Sequence, residues 1–264
     1  MNELLHPNHH GSIAKHDTST AIMQVNQFAI DAADKKKVTA CLMIDQKAAF
    51  DLVDHEILLG KLAEYGVDEE AGKWFCSYLQ GRSFRVQVGA ERSKKVHQGP
   101  YGVPQGSILG STLFVIYEND LPAVNEEPNT EGHTVAYVDD TTDQVANDDN
   151  NDFTDVVQAR ADNISKWLLQ NQMVISPAKS KLLIMATRQL RMARSHVMNM
   201  TITLSGQYLK PTPSEKLLGV IISEDMTWYA HYWGEKWRGK DNVTGVIPEL
   251  LKRLGMLRYL SRYT

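Results

Sequence analysis

Apolar and polar positions alternate along the chain with periods that change from segment to segment. Residues 18–32 carry Ile22, Val25, Phe28 and Ala29 at helical spacing after a Thr/Ser-rich start suited to capping, and predict a helix. Residues 38–44 form a short apolar run that stops at Asp45, the pattern of a buried strand. Residues 55–65 and 71–79 read as two helices separated by Gly66, and residues 84–88 alternate Phe, Arg, Val, Gln, Val as a half-exposed strand would. A helix follows over 107–117, then a strand over 133–138, a turn at Asp139-Asp140 and a returning strand over 141–146. Residues 153–170 repeat Val156, Val157, Ile164, Trp167 and Leu168 on one helical face, and 181–185 and 217–222 are further strand candidates.

Composition narrows the class. With 42% hydrophobic and 23% charged residues among 264, the chain has the average make-up of a globular protein of one large or two small domains. No apolar run reaches the ~20 residues of a membrane-spanning helix, and residues 1–10 lack the pattern of a signal peptide, so no membrane partner is expected. Cys41 and Cys76 stand alone, without CxxC spacing, which excludes a disulfide scaffold and a cysteine zinc site and points to a reducing intracellular setting, nucleus or cytoplasm.

The net charge of −4 conceals a strong segregation. Six basic residues between Lys73 and His97 face Glu91 alone, and five between Lys179 and Arg194 face no acid. Seven Asp residues lie between Asp139 and Asp155 with no Lys or Arg among them. Basic stretches around an acidic centre suit phosphate-backbone contacts around a metal; solvated charged faces are the plain alternative, and charge alone favours the latter.

The carboxylates carry the chemistry. Asp45 ends the apolar strand Cys41-Leu42-Met43-Ile44, and Asp139 with Asp140 follows Val135-Ala136-Tyr137-Val138. A carboxylate at a buried strand end is costly unless it is paired or bound to a cation. Oxygen ligands of this kind select hard cations such as Mg²⁺, and two such ions are the means by which polymerases and nucleases activate a hydroxyl and neutralise a leaving phosphate. Turn acids capping a hairpin are the alternative, and these residues alone leave both open.

Longer motifs decide between them. Ala136-Tyr137-Val138-Asp139-Asp140-Thr141 resembles the YxDD box of reverse transcriptases. The run from Ile44-Asp45-Gln46-Lys47-Ala48-Ala49-Phe50-Asp51 to His55 resembles their first catalytic motif in the form of non-LTR (LINE-type) retrotransposons, and Gly102-Val103-Pro104-Gln105-Gly106-Ser107 resembles the PQG motif between them. The three occur in the family's order. Further similarity covers Trp74-Phe75-Cys76-Ser77-Tyr78-Leu79, Tyr117-Glu118-Asn119-Asp120-Leu121-Pro122 and Lys216-Leu217-Leu218-Gly219.

The resemblance implies an α+β right-hand polymerase: palm and fingers with a truncated helical thumb. Residues 1–37 would be the N-terminal fingers segment, 38–225 the palm with a fingers insertion at about 56–95, and 226–264 the palm end and start of the thumb. It implies an RNA-directed DNA polymerase in which Asp45, Asp139 and Asp140 hold two Mg²⁺ ions, with Mn²⁺ as substitute. Phe50 would stand as an aromatic gate against the ribose 2′-hydroxyl, or be ordinary core. Gln105 and Gly106 would approach the nucleotide, or form a plain turn. Lys181 would protonate the pyrophosphate leaving group, with Lys179 competing for that role and a merely solvated lysine equally open; Lys216 would touch the primer. RNA template, DNA primer and dNTPs are the implied partners, with remaining retrotransposon domains such as an endonuclease. A catalytically inactive, RNA-gripping derivative is the rival reading.

Some positions depart from the family pattern. Ile13 stands where the first fingers motif carries a basic residue, with Lys15 as the candidate replacement, and Glu118 replaces an apolar or small residue before Asn119-Asp120. Gly234-Glu235-Lys236-Trp237-Arg238-Gly239-Lys240 has P-loop spacing, but Asp241 follows where Ser or Thr is required, so an NTPase is rejected. His9-His10 reads as surface.

Overall fold

The computed structural model describes residues 4–128, 130–147, 152–228, 231, 232 and 246, so the P-loop-like segment and all of the expected thumb except Val246 lie outside the described residues. Strand β1 (Val38–Asp45) runs through the middle of a five-stranded sheet. It pairs antiparallel with β3 (Asp140–Asn147) on one side and β4 (Lys181–Met185) on the other. Strand β2 (Gly132–Tyr137) continues the sheet beyond β3, and the two-residue β5 (Pro211–Thr212) runs parallel to β4 at the opposite edge.

Both faces of this sheet are covered, which is why β1 reads as an unbroken apolar run. On one face Val38, Ala40, Leu42 and Ile44 join a core with helices α4 (Ile108–Glu118) and α5 (Phe153–Gln170), through Leu113, Phe114, Ile164 and Leu168. On the other face Cys41, Val135, Leu183 and Met185 meet α1 (Thr18–Asp34), which contributes Ala21, Val25 and Ala29. There they also meet the hairpin of β6 (Ser214–Leu217) and β7 (Val220–Ser223) through Leu217 and Ile222. Helices α2 (His55–Glu64) and α3 (Glu69–Leu79) belong to the first core through Leu58, Leu62 and Leu79.

Local chemistry sets the boundaries. Asp17 caps α1 in a reciprocal box with Thr20, Asp54 caps α2, Asp68 caps α3 and Ser107 caps α4. Each such cap contributes about 1 kcal/mol. The acidic centre is split by a buried pair. Arg160 of α5 binds Asp143 through both carboxylate oxygens at 2.6 and 2.8 Å, and Thr134 and Asn125 donate to the same carboxylate. Asp143 is thereby neutralised as a structural group.

Four expectations change. The alternation at 84–88 predicts one half-exposed strand; instead Ser83–Phe84 pairs with Val96–His97, Gln87–Val88 pairs with Glu91–Arg92, and residues 83–97 are exposed throughout, because none of the described elements covers either side. The strand expected at 217–222 is a hairpin, turned by Leu218 at φ +46° and Gly219 at φ +93°, where glycine supplies the left-handed conformation. The turn expected at Asp139-Asp140 sits one residue earlier: Val138 has φ +56° and Asp140 already pairs in β3. His9 and His10 are buried, because the N-terminal segment pairs with Ala136 at the free edge of β2. Among the described residues no helix is long and apolar enough to cross a membrane.

Candidate active site

Strand register brings the carboxylates together. Asp45, last residue of β1, lies opposite Asp140, first residue of β3, and Asp139 precedes Asp140 in the tight β2–β3 turn. Asp45 is fixed through its backbone: its amide donates to Ser180 Oγ at 3.2 Å and its carbonyl accepts from the Ser176 amide at 2.8 Å. Its side-chain Oδ1 is shut off from solvent and takes no hydrogen bond; Lys179 Nζ is 3.6 Å away. Burial, with the negative charges of Asp139 and Asp45 beside it, pushes the Asp140 carboxyl up to about 6.

The turn itself is braced from the N-terminus. The His10 amide donates to Ala136 O at 2.7 Å, and the Ala136 amide donates to Asn8 O at 3.0 Å. Gly11 then abuts Val138 so closely that a Cβ there would fall 2.5 Å from both Val138 N and Cγ2. A β-branched residue at positive φ is unfavourable by itself and persists only where surroundings hold it. Here the Gly11 segment does so, and it sets where Asp139 emerges.

Asp45 and Asp140 line a cleft of about 160 Å³ whose other walls include Thr142, Lys179, Lys181, Lys216 and Leu218. Lys181, Lys179 and Lys216 therefore share one recess with two of the three carboxylates. Of the two lysines weighed for the leaving group, Lys179 is the one ion-paired with Asp45, while Lys181 Nζ reaches Ala178 O at 3.4 Å.

Phe50, Gln105 and Gly106 are not among the residues lining that cleft. They form a neighbouring group beyond the end of β1. Ala48 at φ +50° starts the short turn Ala49–Leu52, in which Phe50 is half-buried and stacks on Phe114 at 4.5 Å between ring centres. The Val103 amide donates to Phe50 O and the Gly102 amide to Val53 O, which straps the loop at 102–106 onto this turn. Gln105 is exposed and donates to Asp51 Oδ1 at 3.2 Å, and Gly106 takes φ +78° facing open space. Lys15 is exposed at φ +67°, and Ile13 is half-buried.

One buried pair lies outside these motif assignments. Glu118 is fully buried at the end of α4 and accepts from Gln46 Nε2, the residue directly after Asp45. Burial, with Asp139 nearby, pushes Glu118 up to about 8, so it stands protonated at neutral pH. Its signal was the polar residue in an otherwise apolar helix; Gln46 offered none.

The donor set suits a hard divalent ion. An Asp45 oxygen without a hydrogen bond and an Asp140 carboxyl raised by desolvation and then by like charge both gain from a cation between them. Among the described residues no three His, Cys, Asp or Glu side chains close around a single ion. Mg²⁺ commonly takes only one or two carboxylates and fills its sphere with water and substrate phosphates, so an open site of this kind fits it.

Residues 1–222 match the family described as Reverse transcriptase (RNA-dependent DNA polymerase). The chain is 29% identical over 221 residues to the RNA-directed DNA polymerase from mobile element jockey of Drosophila funebris, covering 82% of this chain and 23% of that protein. It is 26% identical over 222 residues to the probable RNA-directed DNA polymerase from transposon X-element of Drosophila melanogaster, covering 84% and 23%. The chain spans about a quarter of the length of these curated relatives. Among solved structures it resembles telomerase from Candida tropicalis in complex with a TWJ fragment of telomeric RNA, with a TM-score of 0.57 at 13% identity, over 84% of this chain and 34% of that one. Apo telomerase from the same organism, truncated from its C-terminal domain, gives 0.54 at 12% identity, over 83% and 40%. At such identities the likeness is one of fold, an α+β right-hand polymerase.

Proposed function

Because the chain belongs to the reverse transcriptase (RNA-dependent DNA polymerase) family, we propose that it copies an RNA template into DNA, with two Mg²⁺ ions held by Asp45, Asp139 and Asp140. The observation that carries this reading is the pairing of Asp45 with Asp140 across β1 and β3, beside a turn that carries Asp139. The palm would be residues 38–225 with a fingers insertion at about 56–95, the N-terminal 37 residues contributing to the fingers. Deoxynucleotides, a DNA primer and the remaining domains of a retrotransposon polyprotein, such as an endonuclease, complete the partner set.

In the reaction the primer 3′-oxygen attacks the α-phosphorus of the incoming nucleotide. A 3′-oxygen–phosphorus bond forms, the α–β phosphoanhydride bond breaks, and pyrophosphate leaves. Bound metal, Mg²⁺ or Mn²⁺ in its place, supplies a lowered hydroxyl pKa and screening of the triphosphate charge. The residues do the rest. Asp45, Asp139 and Asp140 concentrate negative charge at one strand end, where a cation is needed. Lys181 lies in the same recess and donates a proton to the departing pyrophosphate, while Lys179 balances Asp45 before substrate arrives. Phe50, its ring braced on Phe114, stands against the ribose 2′-position. Gln105, oriented by Asp51, and Gly106, open on one side, receive the nucleotide or template.

Primer extension on an RNA template, with and without chelator, tests the proposal alongside template binding by the same sample. Asp45→Asn should reduce extension by at least ~10³-fold without loss of template binding, since removing a charged ligand removes transition-state stabilisation. Template binding by the unaltered chain with no Mg²⁺-dependent extension would instead favour an RNA-gripping, non-copying protein.

A further inference from the structure

The insertion carries a ladder of flat groups, exposed at Trp74 and half-buried at Tyr78 and Arg82, that the carboxylate chemistry does not use. Trp74 and Tyr78 stand one helical turn apart on α3, with rings parallel within 9° and centroids 5.6 Å apart. The Arg82 guanidinium lies 5.1 Å from the Tyr78 ring centre and donates to Tyr78 O at 3.0 Å, and Phe75 meets Trp74 edge-on. Trp74 remains 55% exposed at the end of the stack. Past Arg82 the chain enters the open hairpin at 83–97, with Phe84 exposed and Arg85, Arg92, Lys94 and Lys95 set against Glu91 alone.

We propose that Trp74, backed by Tyr78 and Arg82 in the stack, is a stacking platform for the bases of an unpaired polynucleotide strand, whose phosphates are held by the basic hairpin. This goes beyond the copying reaction and rests on that reading only for the identity of the strand as template. Aromatic faces interleaved with cations are the chemistry that grips single strands, because every base has a flat face and every nucleotide a charge. A duplex keeps its bases stacked on one another and cannot use the ladder. The basic hairpin beside the stack selects a polyanion over an apolar occupant, and an acidic protein partner is an outcome of the test. The platform is also anchored toward the nucleotide side: Tyr78 Oη donates to Ser107 Oγ at 3.0 Å, and Ser107 donates to Pro104 O at 2.7 Å in the loop that presents Gln105.

The experiment measures binding of the full chain to a fluorescent unstructured 12-nucleotide RNA, to a DNA of the same sequence, and to the corresponding duplex, without primer, nucleotide or Mg²⁺. Trp74→Ala should weaken single-strand binding by about tenfold while Trp74→Phe retains most of it. Arg82→Gln should weaken it less, since the outer face of Trp74 remains. Duplex binding should stay unchanged in all three variants. Equal loss for the RNA and DNA strands would assign a platform that reads bases alone, and loss confined to RNA would add the 2′-hydroxyl to what it recognises. Unchanged single-strand affinity in Trp74→Ala, or equal loss on the duplex, would overturn the platform and leave the ladder as a surface for a protein partner. Because no polymerisation is involved, failure of the copying reaction would leave this result standing, and the reverse holds too.

Discussion

The end of β1 and the hairpin at residues 83–97 both carry concentrated charge, and they are built in opposite ways. At the end of β1 the backbone is tied on every side: Asp45 pairs with Asp140, its own amide and carbonyl bind Ser180 and Ser176, and the adjoining turn is wedged by Gly11. In the hairpin two short ladders of two residue pairs each are held by little more than their own hydrogen bonds, and every residue is exposed. Bond-making chemistry needs atoms held to a fraction of an ångström, whereas gripping a polyanion tolerates a mobile cationic arm. The strained Val138 belongs to the first kind of construction; a basic loop without a core belongs to the second.

The sharpest way to break this contrast is at Gly11. Gly11→Ala places a Cβ against Val138 N, so the turn must shift while the sheet survives. Extension should fall by about 10²-fold with a much smaller change in unfolding free energy. Proportional losses in both would mean that the wedge serves the fold, with no special hold on Asp139.

Next comes the buried pair of Arg160 and Asp143. Arg160→Ala leaves Asp143 buried without its cation and should cost about 3–5 kcal/mol in denaturant unfolding, whereas replacing Asp143 and Arg160 together with Asn and Met should cost less. A similar cost for both variants would indicate lost packing as the main effect.

A smaller, pH-dependent effect lies at Glu118. Its folded-state pKa is raised to about 8, so the folded chain holds a proton that the unfolded chain releases near the ordinary carboxylate value. Stability should therefore fall as pH rises from about 5 to 8, by at most ~1.4 kcal/mol per pH unit for one proton. Glu118→Gln keeps the hydrogen-bonding shape without the titration. Its advantage in thermal stability over the unaltered chain should widen with pH through that window; a constant difference would assign the pH dependence to another group. The smallest change belongs to the hairpin: replacing residues 86–93 by a tight Asn-Gly turn should alter unfolding free energy by less than ~1 kcal/mol, while weakening single-strand binding.

The placement of Asp45 and Asp139 at strand ends was legible in the sequence because two apolar runs stop there, one at Asp45 and one just before Asp139. Strand Val38–Asp45 and helix Phe153–Gln170 differ from their predicted bounds by one residue at most. What was not legible depended on long-range packing. Nothing adjacent to Gly11 announces that it meets Val138, and nothing near His9 and His10 announces an edge strand to bury them. The alternation at 84–88 promised a half-exposed strand, since local pattern cannot tell whether a covering element exists. Likewise Gln46 and Glu118 are 72 positions apart, and Glu118 looks misplaced until Gln46 is beside it.

The account stands most directly on Asp139, the carboxylate that the β2–β3 turn presents. Single-nucleotide extension of a DNA primer on an RNA template, measured for the unaltered chain and for Asp139→Asn at matched folded fractions, isolates its role. The prediction is Mg²⁺-dependent addition by the unaltered chain and a loss of at least ~10³-fold in the variant. Near-equal extension by the two would contradict the assignment of this strand end as the catalytic centre.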